Sequence, residues 1–151
     1  MKEARLITKV LFLNVTTQGH VNPSLGLVNE RSTCGVEVVY FSSEEFREKI
    51  EESGASYRPY QYDLTLFKNG FNVLLDHGLD LIQDILQQME DETFDYVIHS
   101  IAMPFSKQIA EYLMLPAVSM LAAIKKQWMP FRNMRNKINT GPFFAALYLL
   151  F

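Results

Sequence analysis

Val10-Leu11-Phe12-Leu13-Asn14-Val15, followed at once by Thr16-Thr17-Gln18-Gly19-His20-Val21-Asn22-Pro23-Ser24, decides how the rest of the chain is read. The first six residues form a nearly continuous β-branched and aromatic run, the pattern of a parallel strand covered by helices on both faces. The polar stretch Thr16 to His20 then reads as a loop. Pro23 suits a first helical turn, and Leu25 and Val28 continue with helical spacing to Arg31. Strand, loop and helix therefore follow one another within about twenty residues. Cys34-Gly35 should end that helix, because Gly accepts a left-handed cap conformation, and Val36 to Phe41 reads as a second strand.

The alternation continues outward. Glu44 to Ser53 is expected to be helical, with Glu44 and Glu45 at the positive end of its dipole, and Gly54 should stop it. Ala55 to Pro59 reads as a third strand. Asn72 to Met89 places Val73, Leu74, Leu79, Ile82, Ile85, Leu86 and Met89 at helical spacing, with Gly78 expected to kink the helix. Phe94 to His99 and Ala117 to Leu121 read as further strands, with a helix over Pro104 to Leu113 between them. Strands alternating with helices imply an α/β fold, a Rossmann-like doubly wound parallel sheet with right-handed connections. No internal repeat is present. The pattern degrades from Ala122, so residues 1–121 are read as one domain and 122–151 as an ill-defined, truncated or aberrant tail.

Composition narrows the functions. The 151 residues can bury one full core. They carry 14 Lys+Arg against 17 Asp+Glu, a net charge of −3 with the three His neutral. That balance offers no electrostatic footprint for nucleic acid or an anionic membrane, and a small-molecule partner fits better. No apolar run reaches the ~18 residues of a membrane span. The single cysteine, Cys34, closes no intramolecular disulfide, and a cytoplasmic location is the natural expectation.

In an open α/β sheet, ligands bind outside the carboxyl ends of the strands, and here the first strand delivers Gln18-Gly19-His20-Val21-Asn22-Pro23. Gly19 permits a tight turn or a close ligand approach. His20 is expected immediately before a helix, whose positive end disfavours the imidazolium, so a neutral imidazole is available there as a base. A simple hydrogen bond to the loop is the other role open to it. His99 ends a buried strand, and His77 lies on a helix beside Asp76; structural roles are expected for both. Glu44, Glu45, Glu48, Glu51 and Glu52, with Arg47 and Lys49, form an ordinary charged face. No metal site is expected. Neither a GxxxxGK[ST] loop nor a GxGxxG fingerprint occurs, so nothing in the chain predicts nucleotide binding.

QGHVNPSL at Gln18 to Leu25 resembles the amino-terminal signature of family 1 UDP-glycosyltransferases, especially the macrolide-glycosyltransferase-like branch. The likeness continues through Gly26-Leu27-Val28, Val38 to Phe46, Gly54-Ala55, Phe94 to Ile98, Lys107 to Ala110 and Leu115 to Ser119, in the family's order and spacing. The resemblance implies the amino-terminal half of a GT-B fold: a domain that binds a hydroxyl-bearing acceptor and works with a carboxyl-terminal donor domain, in cis or in trans, that holds a UDP-sugar. It implies that His20 is the general base of an inverting transfer, that no metal takes part, and that Gly19, Asn22, Phe67 and Phe71 contact the acceptor. Tyr57, Tyr60 and Tyr62 fall in the same implied acceptor region, although core packing explains any one of these aromatics equally well.

The sequence departs from the family at one place. Members carry an aspartate just after the fourth strand to orient the histidine and stabilise its cation, and the ungapped alignment of Val97-Ile98-His99 and Pro104-Phe105 puts Ser100 there. Serine supplies no negative charge. The donor domain is also expected to be missing from this chain, so the isolated chain is expected to bind no cofactor and to be inactive. Two readings follow: an acceptor-binding domain of a glycosyltransferase, or an inactive remnant or binding module that retains the fold. Without a partner domain its cleft face would be exposed, so self-association is expected.

Overall fold

A computed structural model describes residues 7–61 and 71–121, with the side chains of 71–76 outside that description. The expected elements are present: β1 (Lys9–Leu13), α1 (Gln18–Thr33), β2 (Glu37–Ser42), a 3-10 turn (Glu44–Phe46) leading into α2 (Arg47–Glu52), β3 (Ser56–Pro59), α3 (Phe71–Gln88), β4 (Tyr96–Ser100), α4 (Ser106–Tyr112) and β5 (Ala117–Met120). All strand pairs are parallel, in the order β3-β2-β1-β4-β5. The sheet is therefore doubly wound, with β1 at its centre.

The pleat of β1 sorts the core into two layers. Leu11 and Leu13 join Val39, Phe41 and Val97 on the face covered by Leu81 and Ile85 of α3 and Ile109 of α4. Val10 and Phe12 join Val38, Tyr40 and Ile98 on the opposite face, under Val21 and Val28 of α1 and Ile50 of α2. Successive strand side chains point to opposite faces, which is why β1 reads as an unbroken apolar run. Each fully buried side chain of this size contributes roughly 1.5–3 kcal/mol. Phe12 and Tyr40 also stack, with ring centroids 4.5 Å apart and 9° between planes.

Gly35 ends α1 as expected. Its φ is +81°, its N–H reaches Ser32 O at 3.0 Å, and Val36 N–H reaches back to Arg31 O at 3.1 Å, which completes a Schellman cap. One local expectation needs correction. Helix α1 begins at Gln18 rather than at Asn22, because Thr17 adopts an extended conformation (φ −132°, ψ 146°) and its carbonyl accepts from His20 N and Val21 N. Pro23 therefore lies in the second turn, where it cannot donate the helical bond to the carbonyl of Gly19. Gly78 lies inside the continuous α3, and a Cβ there would come 2.4 Å from Phe105 Cζ. The glycine makes room for a ring. The tail read as 122–151 lies outside the described residues, and among the described residues no helix is long and apolar enough to cross a membrane.

Candidate active site at the carboxyl ends of β1 and β4

The path from β1 through α1 leads to β2 on one side, whereas the path through α3 leads to β4 on the other. The sheet's direction of winding thus reverses between β1 and β4, the position at which open α/β sheets place their ligand sites. His20 follows β1, and Ser100 is the last residue of β4.

The two meet. Ser100 Oγ lies 3.2 Å from His20 Nδ1, and it also accepts Ala102 N–H at 3.2 Å. Ser100 is fully buried and His20 is half-buried. His20 occupies the first turn of α1 rather than the loop before it, so it remains where the helix dipole is positive. A hydroxyl has two lone pairs and one proton, so Ser100 can accept from Nδ1–H or donate to a bare Nδ1. A carboxylate could only accept. Serine at this position therefore brings the imidazole a partner without fixing its tautomer.

The expected neighbours of His20 fare differently. Gly19 and Asn22 are exposed on the first two turns of α1. Gly19 has no positive φ, and a Cβ there would meet nothing within 4 Å, so the backbone forms no tight turn that demands glycine. Phe67 and Tyr62 lie outside the described residues, and Phe71 opens α3 with its side chain outside them. Tyr57 donates to Ser42 O at 3.3 Å and lies under the Arg47 guanidinium; burial first, and then the charge of Glu44, push its phenol up to about 12. Tyr60 donates to Asn14 O at 2.9 Å and packs on Phe41, and burial holds its phenol well above the ordinary value. Both rings stay protonated and are committed to the fold.

His99 is structural, as expected. Ser106 gives its one proton to Met103 O, so its oxygen must accept from His99 Nδ1 at 2.8 Å, and His99 Nε2 lies 3.0 Å from Ser119 Oγ. His99 thereby joins β4, α4 and β5. His77 Nδ1 lies 3.4 Å from Asp80 Oδ2 on the surface of α3. Among the described residues no three His, Cys, Asp or Glu side chains cluster as metal ligands.

Sequence reasoning missed the residues behind His20. Buried Asn14 donates to Tyr40 Oη at 2.7 Å and to His20 O at 3.1 Å, and Tyr40 Oη is 2.7 Å from Ser24 Oγ. The available signal was a lone carboxamide at the end of an apolar run and a tyrosine in the middle of a buried strand.

No protein-family model matches the chain. In sequence it is similar to an uncharacterized UDP-glucosyltransferase, YdhE, of Bacillus subtilis (strain 168), with 29% identity over 124 residues, taking 76% of this chain and 31% of that protein. It is 27% identical over 124 residues to the NDP-glycosyltransferase YjiC of the same organism, and 30% identical over 125 residues to phloretin 4'-O-glucosyltransferase of Malus domestica, of which it covers 26%. The chain spans about a third of the length of the first of these curated relatives. Among solved structures, the glycosyltransferase of kitacinnamycin matches 87% of the chain with a TM-score of 0.69 at 20% identity, over 34% of its own length. The calicheamicin glycosyltransferase CalG4 matches the same share with 0.66 at 22% identity, over 37% of its length. The fold is that of a Rossmann-like GT-B amino-terminal domain, and in sequence the chain is similar to the amino-terminal third of these glycosyltransferases.

Proposed function

We propose that this chain is the acceptor-binding domain of an inverting, UDP-sugar-dependent glycosyltransferase, with His20 as the general base. The observation that carries the reading is the pairing of His20 Nδ1 with Ser100 Oγ at the carboxyl ends of β1 and β4, where the sheet reverses its winding. With Nδ1–H donated to Ser100, Nε2 is free to take the proton of an acceptor hydroxyl. The oxygen then attacks the anomeric carbon of the sugar, the bond to the nucleotide breaks, and UDP leaves with the electron pair as the configuration inverts. A positioned base of this kind contributes about 10²- to 10⁴-fold. Gly19 and Asn22, exposed beside His20, are suited to contact the acceptor, with Phe67 and Phe71 as its apolar walls by resemblance. The sugar nucleotide is held by a donor domain, supplied in cis or in trans.

Ser100 favours a second reading, a binding module that keeps the fold without turnover. A hydroxyl neither neutralises the imidazolium formed in the transfer nor selects the tautomer that leaves Nε2 basic. The two readings separate when the chain is joined to the donor domain of a relative and offered UDP-sugars with a panel of phenolic acceptors. Product that disappears in His20→Ala supports the transferase. Acceptor binding with no His20-dependent product supports the module.

A further inference from the structure

Asn14 follows the apolar core of β1 and is itself fully buried. A buried carboxamide is costly unless its N–H and C=O groups find partners. Its Nδ2 uses both hydrogens, one on Tyr40 Oη and one on the backbone carbonyl of His20, while Oδ1 accepts Val15 N–H at 2.9 Å. Proton counting gives the chain one direction. Ser24 Oγ spends its only proton on Val21 O at 2.7 Å, so Tyr40 must donate to Ser24 and its oxygen must receive the N–H of Asn14. The carbonyl of His20 can only accept, which fixes the amide's orientation as well.

The tie acts on the first turn of α1. The backbone bonds His20 N–H to Thr17 O and Val21 N–H to Thr17 O stay inside the turn and do not anchor it to the sheet. Pro23 removes the rung that would join the second turn to Gly19. The carboxamide of Asn14 holds the neighbouring carbonyl, that of His20, and so connects the residue that carries the imidazole to the end of β1.

We propose that Asn14 is a positioning residue for His20: by holding that carbonyl it sets where the imidazole meets Ser100 and the incoming hydroxyl. The inference rests on His20 being the reactive base, but its test reads geometry rather than turnover. Imidazole ¹H–¹⁵N spectra of the full chain report His20, identified by its loss in His20→Gln, and His99 as a reference for the intact fold. In the parent chain, Ser100→Ala should shift the His20 signals. In Asn14→Ala, the His20 signals should shift with those of His99 unmoved, and adding Ser100→Ala should then shift them no further. Unmoved His20 signals in Asn14→Ala, or an undiminished response to Ser100→Ala, overturn the proposal. Should the His99 signals disappear, Tyr40→Phe keeps the ring stack on Phe12 and removes the hydroxyl that accepts from Asn14 and donates to Ser24. A smaller shift of His20 in the same sense then supports the role, and none refutes it. Failure of glycosyl transfer would count against the functional reading alone.

Discussion

His20 Nδ1 and Ser100 Oγ, eighty positions apart in the sequence, stand 3.2 Å from each other at the point where the sheet reverses its winding. The contact depends on two adjacent central strands ending at the same level, since Leu13 pairs with His99 in register and Ser100 follows.

Ser100→Asp should convert an ambiguous hydrogen bond into one that only accepts. The carboxylate would hold the proton on Nδ1, leave Nε2 basic and offset the charge formed on the ring. In the chain joined to a donor domain, transfer rates should rise by about tenfold or more, within the range a well-positioned base supplies. Equal rates in parent and variant would remove any catalytic weight from position 100.

Gly78→Ala should destabilise the domain despite alanine's better helix propensity. The added methyl would come 2.4 Å from Phe105 Cζ, an atom on the ring's own rotation axis, so a ring flip gives no relief. Phe105 is already held at φ 59°. Overpacking of this kind costs roughly 1–3 kcal/mol, against a propensity gain of about 1 kcal/mol. Urea denaturation should show a net loss, and Phe105→Leu should recover part of it in the double variant.

Glu92 should make the fold acid-sensitive. Burial, the largest single influence, pushes its carboxyl up, but the bonds and charges of Lys9 and Arg58 together outweigh it and hold the group below its ordinary 4.5. Lys9 Nζ lies 2.7 Å from one oxygen as an ion pair, and Arg58 bonds the other. A carboxyl lowered by folding stabilises the fold above its unfolded value, and this contribution is lost as pH falls through the folded one. Glu92→Gln should cost about 1–3 kcal/mol at neutral pH and flatten the decline in the urea midpoint below about pH 5.

Exposed apolar side chains beyond β4 should drive self-association. Met114 is 90% exposed, Tyr112 73%, Leu121 54% and Val118 52%. Sedimentation of the full chain should give an average mass that rises with concentration, and Met114→Lys with Val118→Lys should reduce the rise. A concentration-independent monomer would count against this surface.

Most of the architecture was legible because it follows from local pattern. The uninterrupted apolar run Val10 to Leu13 can only be satisfied by cover on both faces, and Gly35 marks its helix end through backbone sterics alone. The start of α1 was not legible: Pro23 looked like a first-turn residue, and only the extended conformation of Thr17 moved the start back to Gln18. The packing at Gly78 was not legible either, because nothing local announces that Phe105, from another loop, fills the place of a side chain there.

By itself, the order of residues determined a parallel, doubly wound sheet and put an imidazole just past its first strand, because periodicity and turn chemistry act over a few positions. Only the tertiary structure decided what that imidazole touches. Ser100 comes from β4, while Tyr40 and Ser24 come from β2 and α1 and close a hydrogen-bond chain through Asn14. Such contacts are set by strand register and by the demand that buried polar groups find partners across the sheet, and neither quantity is written in any short stretch of sequence.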